Sequence, residues 1–310
     1  MDKQAKIYVA GGQTLVGEAI LRQLASQGYE QIVGLPGQEP DLTHAESVHE
    51  FFAQHRPDYV FLAAGKSGGI QANQTYPATL MLDNLLVACH VIRAAHAYQT
   101  RKLLYLASSC SYPRHSPQPM PVEALLTGIL EPTNESYAVA KLAGIKLCEA
   151  YRKQYGSDFV VGIPANPFGL GDDFSLEDSH VIPALIRKMH EAKTQGQSSV
   201  TLWGTGTPRR EFIFADDLAD ACLFVMEHYS DLMPLNLGGG TDLSIRELAE
   251  VIQTVVGFTG ELCFDPSKPD GMPLKALDSS PLLALGWQAK TSLELAIAET
   301  YRWWLQNGAF

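Results

Sequence analysis

The short apolar run Lys6-Ile7-Tyr8-Val9-Ala10 is followed at once by Gly11-Gly12-Gln13-Thr14-Leu15-Val16-Gly17, and Val16–Leu24 then repeats its apolar positions at helical spacing. A strand, a glycine turn and a helix in immediate succession leave few folds open. The helix N-terminus offers unpaired amides and the positive end of a dipole to an anion such as a pyrophosphate. A glycine turn that merely joins a strand to a helix explains the same residues.

The rest of the chain repeats the theme. Apolar runs at Tyr59–Ala63, Leu103–Ala107 and Phe159–Ile163 alternate with predicted helices near Glu46–Ala53, Ala78–His96, Tyr137–Tyr155 and Asp216–Met226. This alternation predicts an α/β fold with a Rossmann-type, doubly wound parallel sheet covered by helices on both faces. From about Pro167 it gives way to loops, a helix near Val181–Ala192 and the segment Trp203-Gly204-Thr205-Gly206-Thr207-Pro208, which predict a smaller C-terminal cap. Sheet-and-helix character returns around Asp216–Leu237, so the two domains are expected to interleave. The dinucleotide-binding domain is expected over 1–166 plus about 215–242, and the substrate-binding domain over about 167–214 plus 243–310. The 310 residues suffice for such a pair.

Composition narrows the function classes. With 34 acidic against 23 basic side chains the net charge is −11, and no basic block follows a phosphate backbone, so nucleic acid is not an expected partner. No apolar run is read as bilayer-spanning and the polar start Met1-Asp2-Lys3-Gln4 lacks a signal-peptide pattern, so a cytoplasmic protein without membrane association is expected. The five scattered cysteines show neither metal spacing nor a disulfide framework, and no metal site is expected.

Tyr137-Ala138-Val139-Ala140-Lys141 places a phenol and an ammonium on one helix face, where the cation is expected to lower the phenol's pKa. Such a phenol exchanges a proton with a carbonyl. Ser108, at the end of the fourth predicted strand, is placed to hydrogen-bond the same oxygen, and Cys110, two residues on, shares its side by strand alternation unless the bend into Tyr112-Pro113 breaks it. Taken singly, the pair reads as a surface tyrosine beside a solvated lysine, and Cys110 as a small packed residue.

The segments Ser108-Ser109-Cys110-Ser111-Tyr112-Pro113, Leu130–Tyr137, Ala140–Glu149, Asp178–Leu185, Trp203–Phe212 and Lys268-Pro269-Asp270-Gly271 closely resemble the GDP-L-fucose synthases, extended short-chain dehydrogenase/reductases. The resemblance covers nearly the whole chain. It implies an enzyme that inverts C3 and C5 of GDP-4-keto-6-deoxy-mannose and then reduces the C4 ketone with NADP(H). It further implies Ser108, Tyr137 and Lys141 for reduction and Cys110 with His180 for the epimerisations. Gly11, Gln13, Thr14, Leu15, Val16, Gly17, Asp41, Leu42, Ala63, Pro164 and Asn166, together with Tyr137 and Lys141, are implied at the cofactor. Asn73, Lys188, Trp203, Arg210 and Asp270 are implied at the substrate, and a homodimer through a helix bundle is implied by analogy.

The chain departs from the family pattern in three places. Thr14 stands where the middle glycine of Gly-x-x-Gly-x-x-Gly is usual and puts a branched Cβ near the phosphate turn. No Lys or Arg occurs between Arg22 and Arg56, where a clamp for a 2′-phosphate is expected, so NAD(H) stays open beside NADP(H). Leu274 replaces a basic residue, with Lys275 following. An enzyme of the same fold acting on another nucleotide sugar, or with only one activity, and a cofactor-sensing protein without chemistry stay open too.

Overall fold

The computed structural model describes residues 1–175, 179–268 and 270–307. Asp178 and Pro269, which belong to two of the resembling segments, lie outside them. The chain opens with β1 (Ile7–Ala10), α1 (Leu15–Ser26), β2 (Ile32–Val33), α2 (Ala45–His55), β3 (Tyr59–Leu62), α3 (Ile70–Thr75), α4 (Pro77–Ala97) and β4 (Lys102–Leu106). It continues through α5 (Glu135–Tyr155), β5 (Phe159–Pro164), β6 (Asn166–Phe168), α6 (Val181–Thr194), β7 (Ser199–Trp203), β8 (Arg209–Phe214), α7 (Ala215–His228) and β9 (Leu235–Leu237). It closes with β10 (Asp242–Ser244), α8 (Ile245–Val256), β11 (Glu261–Asp265), β12 (Leu274–Lys275), α9 (Ser280–Ala284) and α10 (Leu293–Asn307).

Six strands form a parallel sheet in the order β2-β1-β3-β4-β5-β9. Buried apolar runs explain the central strands, since β1, β4 and β5 are buried along their whole length, as a sheet covered on both faces demands. The helices pack in two groups, α1 with α7, and α4 with α2 and α5. The topology is the doubly wound one expected from the alternation.

Helix α5 lies very close to β4. A Cβ on Gly144 would come within 2.4 Å of the Tyr105 ring, so only glycine lets the helix approach. Helix α4 has 21 residues and, against the sequence reading, is long and apolar enough to cross a bilayer. Leu80, Val87, Ala88, Val91, Ile92, Ala94 and Ala95 are buried, so much of that apolar surface belongs to the protein's core.

A second set of strands is built around β8, which pairs antiparallel with β10 and parallel with β6 and β12, while β7 pairs with β11. Helix α8 starts at a capping box, Ser244 accepting from the Glu247 amide and the Glu247 carboxylate from the Ser244 amide. Its buried Leu248, Ala249, Ile252 and Val256 join α6 and α10 in a second apolar core. Leu277, Leu282 and Trp287 return instead to the core of the large sheet.

The two strand systems are tied by one buried carboxylate. Glu211 on β8 accepts from the Gly240 amide at 2.9 Å and from the Leu277 amide at 2.7 Å. Both donors lie on the segments flanking the second set of strands, so this side chain sets where β12 runs.

Candidate active site

At the C-terminal ends of β1, β3, β4 and β5 a cleft of about 610 Å³ opens between the two strand systems. Its floor begins with the glycine turn. Gly11 has φ +85°, and a Cβ there would meet the Ala64 backbone at 2.5 Å; a Cβ on Gly17 would lie 1.9 Å from the Gly11 carbonyl oxygen. Thr14, by contrast, is extended and caps α1. Its hydroxyl accepts from the Gly17 amide at 3.1 Å and donates to the Gly11 carbonyl at 2.8 Å. The turn therefore keeps glycine where the backbone requires it, and a threonine fits between.

Thr14, Leu15, Val16, Ala63, Pro164 and Asn166 line the cleft as expected, whereas Gly11, Gln13 and Gly17 are not part of its lining. Asp41 and Leu42 do not line it either. The Asp41 carboxylate, held down at about 2 by its bonds to Thr43 and then His44, anchors the turn into α2. Leu42 is a core residue whose carbonyl bonds the His90 ring at 3.0 Å.

A carboxylate from the loop after β2, Glu39, reaches the glycine turn. Its carboxylate accepts from the Gly11 amide at 2.6 Å and from the Tyr8 hydroxyl at 2.9 Å, and burial raises its pKa. Periodicity gave no sign of it, because it reaches the turn from an irregular loop.

Strand β4 ends at Leu106, the backbone stays extended through Ser108, and the chain then turns at Ser109. Ser108 accepts from the Cys110 amide at 3.2 Å at the start of a 3₁₀ turn, Ser109–Ser111. Strand alternation therefore does not relate Ser108 to Cys110, contrary to expectation; the serine's cap does, and both still line the cleft.

Helix α5 brings Tyr137 and Lys141 to the same end. The phenol bonds Ser108, and burial, followed by the Cys110 charge, raises its pKa while that bond opposes the rise. Lys141, 6% exposed, donates to the Leu106 carbonyl at 3.2 Å, and burial lowers its pKa to about 8. Its Nζ lies 5.9 Å from the centre of the Tyr137 ring, and no lowering of the phenol by this ammonium is found. The expected direct effect is corrected accordingly: Ser108 is the group that eases the phenol's ionisation.

His180 stands at the start of α6 and lines the same cleft as Cys110. Its ring is open to solvent, yet the surrounding cleft walls strip part of its water and lower its pKa; Asp173 opposes, and Lys275 lowers it further. The Cys110 sulfur accepts from the Asn134 amide nitrogen at 3.2 Å and from the Lys275 Nζ at 3.4 Å. Neither donor was singled out as a site residue. In the two-residue strand β12, Lys275 lines the cleft and Leu274 does not, so the position after Leu274 is the one that carries charge into the site.

The remaining residues divide. Asn73 lines the cleft but uses its amide nitrogen on the Gly68 and Gly69 carbonyls, closing a turn. Asn166 donates to the Glu211 carbonyl at 2.7 Å. Arg210 and Asp270 line the outer cleft, with Asp270 accepting from the Thr205 amide and hydroxyl at 2.7 and 2.8 Å. Trp203 is 61% exposed at the rim, and the ammonium groups of Lys188 and Lys268 lie 5.3 and 5.4 Å from its ring centre. Lys188 itself is not part of the lining. Asn134 Oδ1 and Asp172 Oδ2 are buried in lining residues without a hydrogen-bond partner among the described residues, and burial raises the Asp172 carboxyl to about 7.

A parallel sheet with a glycine turn on its first strand and a Ser, Tyr and Lys set at its fourth defines a nucleotide-cofactor enzyme of the short-chain dehydrogenase/reductase class. Residues 7–238 match the NAD dependent epimerase/dehydratase family, and the chain belongs to that family and, within it, to the GDP-L-fucose synthases. It is 53% identical over 306 residues to GDP-L-fucose synthase 1 of Arabidopsis thaliana, covering 99% of this chain and 95% of that protein. A GDP-6-OMe-4-keto-L-xylo-heptose reductase from C. jejuni superposes with a TM-score of 0.93 at 34% identity, covering 99% of each chain. A GDP-L-fucose synthetase from Naegleria fowleri bound to NADP superposes at 0.91 with 28% identity, over 99% of this chain and 96% of that one.

The buried Lys141 yields a stability test. A lysine near 8 when folded and about 10.4 when unfolded carries its full burial cost below 8, and stability rises with pH between those values because the unfolded state binds more protons. Lys141→Met is expected to be more stable than the wild type at neutral pH by about 1–3 kcal/mol. Urea unfolding should show that gap closing as pH rises through the window; a constant gap would contradict it.

Proposed function

We propose that this protein converts GDP-4-keto-6-deoxy-mannose to GDP-L-fucose, inverting C3 and C5 and then reducing C4 with NADP(H). One observation carries the reading: a single cleft holds both a Ser, Tyr and Lys set suited to a carbonyl and a thiol with an imidazole suited to α-proton chemistry. The two unpartnered acceptors on Asn134 and Asp172 suit the hydroxyl donors of a sugar.

The cofactor's fit is supported by the glycine turn, the N-terminal amides of α1, the Ala63-Ala64-Gly65 wall and Lys141. When bound, the reduced nicotinamide supplies a hydride. The protein's own residues do the rest. A C4 ketone makes the hydrogens at C3 and C5 acidic because the enolate spreads charge onto oxygen. Cys110 as thiolate takes the proton, the C–H pair passing into the enolate, and His180 as imidazolium returns a proton to carbon from the opposite face. Ser108 and Tyr137 hold the C4 oxygen, and the phenol gives its proton to it as the ketone becomes an alcohol. Arg210 pairs with the diphosphate and Trp203 lies beside the base.

The two apolar cores support a division into a dinucleotide-binding domain and a substrate-binding domain, with the segment from Leu277 to Trp287 given back to the first. Five free cysteines suit a reducing compartment such as the cytoplasm. Reduction without epimerisation is a second reading, favoured by the likeness to the C. jejuni reductase.

Four outcomes test this. With GDP-4-keto-6-deoxy-mannose in deuterated water, Tyr137→Phe should lose roughly 10²–10⁴-fold in NADPH oxidation while keeping deuterium exchange at C3 and C5. Cys110→Ser should lose the exchange, and a Cys110→Ser enzyme that exchanges normally would leave the second reading standing. The cations lining the cleft among the described residues are Lys141, Arg210 and Lys275, none of them on the glycine turn or the loop after β2. Because one charge-assisted contact is worth roughly 1.5–3 kcal/mol, kcat/KM for NADPH should exceed that for NADH by less than about tenfold, which steady-state rates would check. Finally, α4 and α5 pack together and leave Leu82, Val139 and Tyr155 exposed, so a homodimer through these helices is part of the proposal. Light scattering should return the mass of two chains; a single-chain mass at micromolar concentration would overturn it.

A further inference from the structure

We propose that Lys275 is a positioning residue that keeps Cys110 as a thiolate, with Asn134 as the second donor to the same sulfur. The inference rests on the reading of Cys110 as the base. A neutral thiol is a weak acceptor, whereas a thiolate is a strong one, and this sulfur receives two donors at 3.2 and 3.4 Å. Lys275 forms no ion pair with any carboxylate among the described residues, so the sulfur is the partner available to its half-buried charge.

The lysine is held in place by its strand. Strand β12 pairs with β8 so that Lys275 sits opposite Arg210. Immediately beyond it, the Ala276 amide donates to Gln118 Oε1 at 3.1 Å, the Met120 amide to the Ala276 carbonyl at 2.8 Å, and the Leu277 amide to buried Glu211 at 2.7 Å. A flexible surface lysine would average over many rotamers; this one leaves a backbone pinned on three bonds.

The same cation faces the other half of the acid–base pair. Lys275 lowers the His180 pKa, against Asp173, which raises it. One positive charge thus favours proton loss from the thiol and eases proton release from the imidazolium, the two changes that an inversion with opposed base and acid requires. After each inversion the thiol returns its proton to water and the imidazole regains one, which restores both groups.

The test reads the sulfur directly, independent of turnover. Iodoacetamide alkylation of the full chain with NADP⁺ present is followed by peptide mass spectrometry at neutral pH, with the partly exposed Cys263 of β11 as the internal control. Lys275→Met should slow Cys110 alkylation roughly tenfold relative to Cys263, while Lys275→Arg should hold it within about threefold of the wild type. Should the methionine variant fail to fold, Asn134→Leu takes its place with an expected slowing of about threefold. An unchanged alkylation rate in a folded variant overturns the proposal. Deuterium exchange by Cys110→Ser judges the base reading separately, so the two failures are told apart.

Discussion

Everything chemical in this molecule depends on how tightly one helix is pressed onto one strand. Gly144 lets α5 settle against Tyr105 of β4, and Lys141, one turn from Tyr137, donates to the last carbonyl of that strand. This contact brings Tyr137 to Ser108, and the cap that Ser108 provides turns the chain so that Cys110 enters the same cleft. Burying an ammonium there lowers its pKa, a stability cost in the direction expected of a group kept for its function. A side chain at residue 144 would separate α5 from β4 and the phenol from the serine.

The opposite wall depends on a different buried charge. Glu211 is 1% exposed and holds the Gly240 and Leu277 amides, which fixes β12 and with it Lys275. Buried carboxylates that accept backbone amides act as joints, and this one joins the strands of the second system to the mouth of the cleft. The site is thus made between two structures, each fixed by its own buried polar group. Proton chemistry at the α-carbons and hydride reduction of the carbonyl can share a cleft because the turn Ser109–Ser111 and the first turn of α5 bring the thiol and the phenol to the same end of β4.

Much of this was legible in the residues themselves. The alternation of apolar runs with helical periodicity marks the sheet, and the four-residue spacing of Tyr137 and Lys141 marks the helix face, because both are local patterns. What escaped was set by side chains that reach across loops. Glu39 bonds the glycine turn from irregular chain, and Asp41, read as a cofactor contact, is occupied with the start of α2. Ser108 competes with the strand ladder for a backbone amide, so strand alternation failed at Cys110. Lys275 stands out only as the basic residue after Leu274, and its place in the site is hidden because a strand of two residues has no period to read. Thr14 looked like an obstacle and is a helix cap, which follows from its extended backbone and not from its branched side chain.

In the proposed reaction one bound sugar meets both chemistries without moving to another site. A crystal structure of the protein with NADP⁺ and GDP-4-keto-6-deoxy-mannose would show this. The expected result is the C4 oxygen on Ser108 and Tyr137, with the Cys110 sulfur and the His180 ring on opposite faces of the hexose. A hexose with Cys110 and His180 on the same face, or with either beyond reach of C3 and C5, would contradict it.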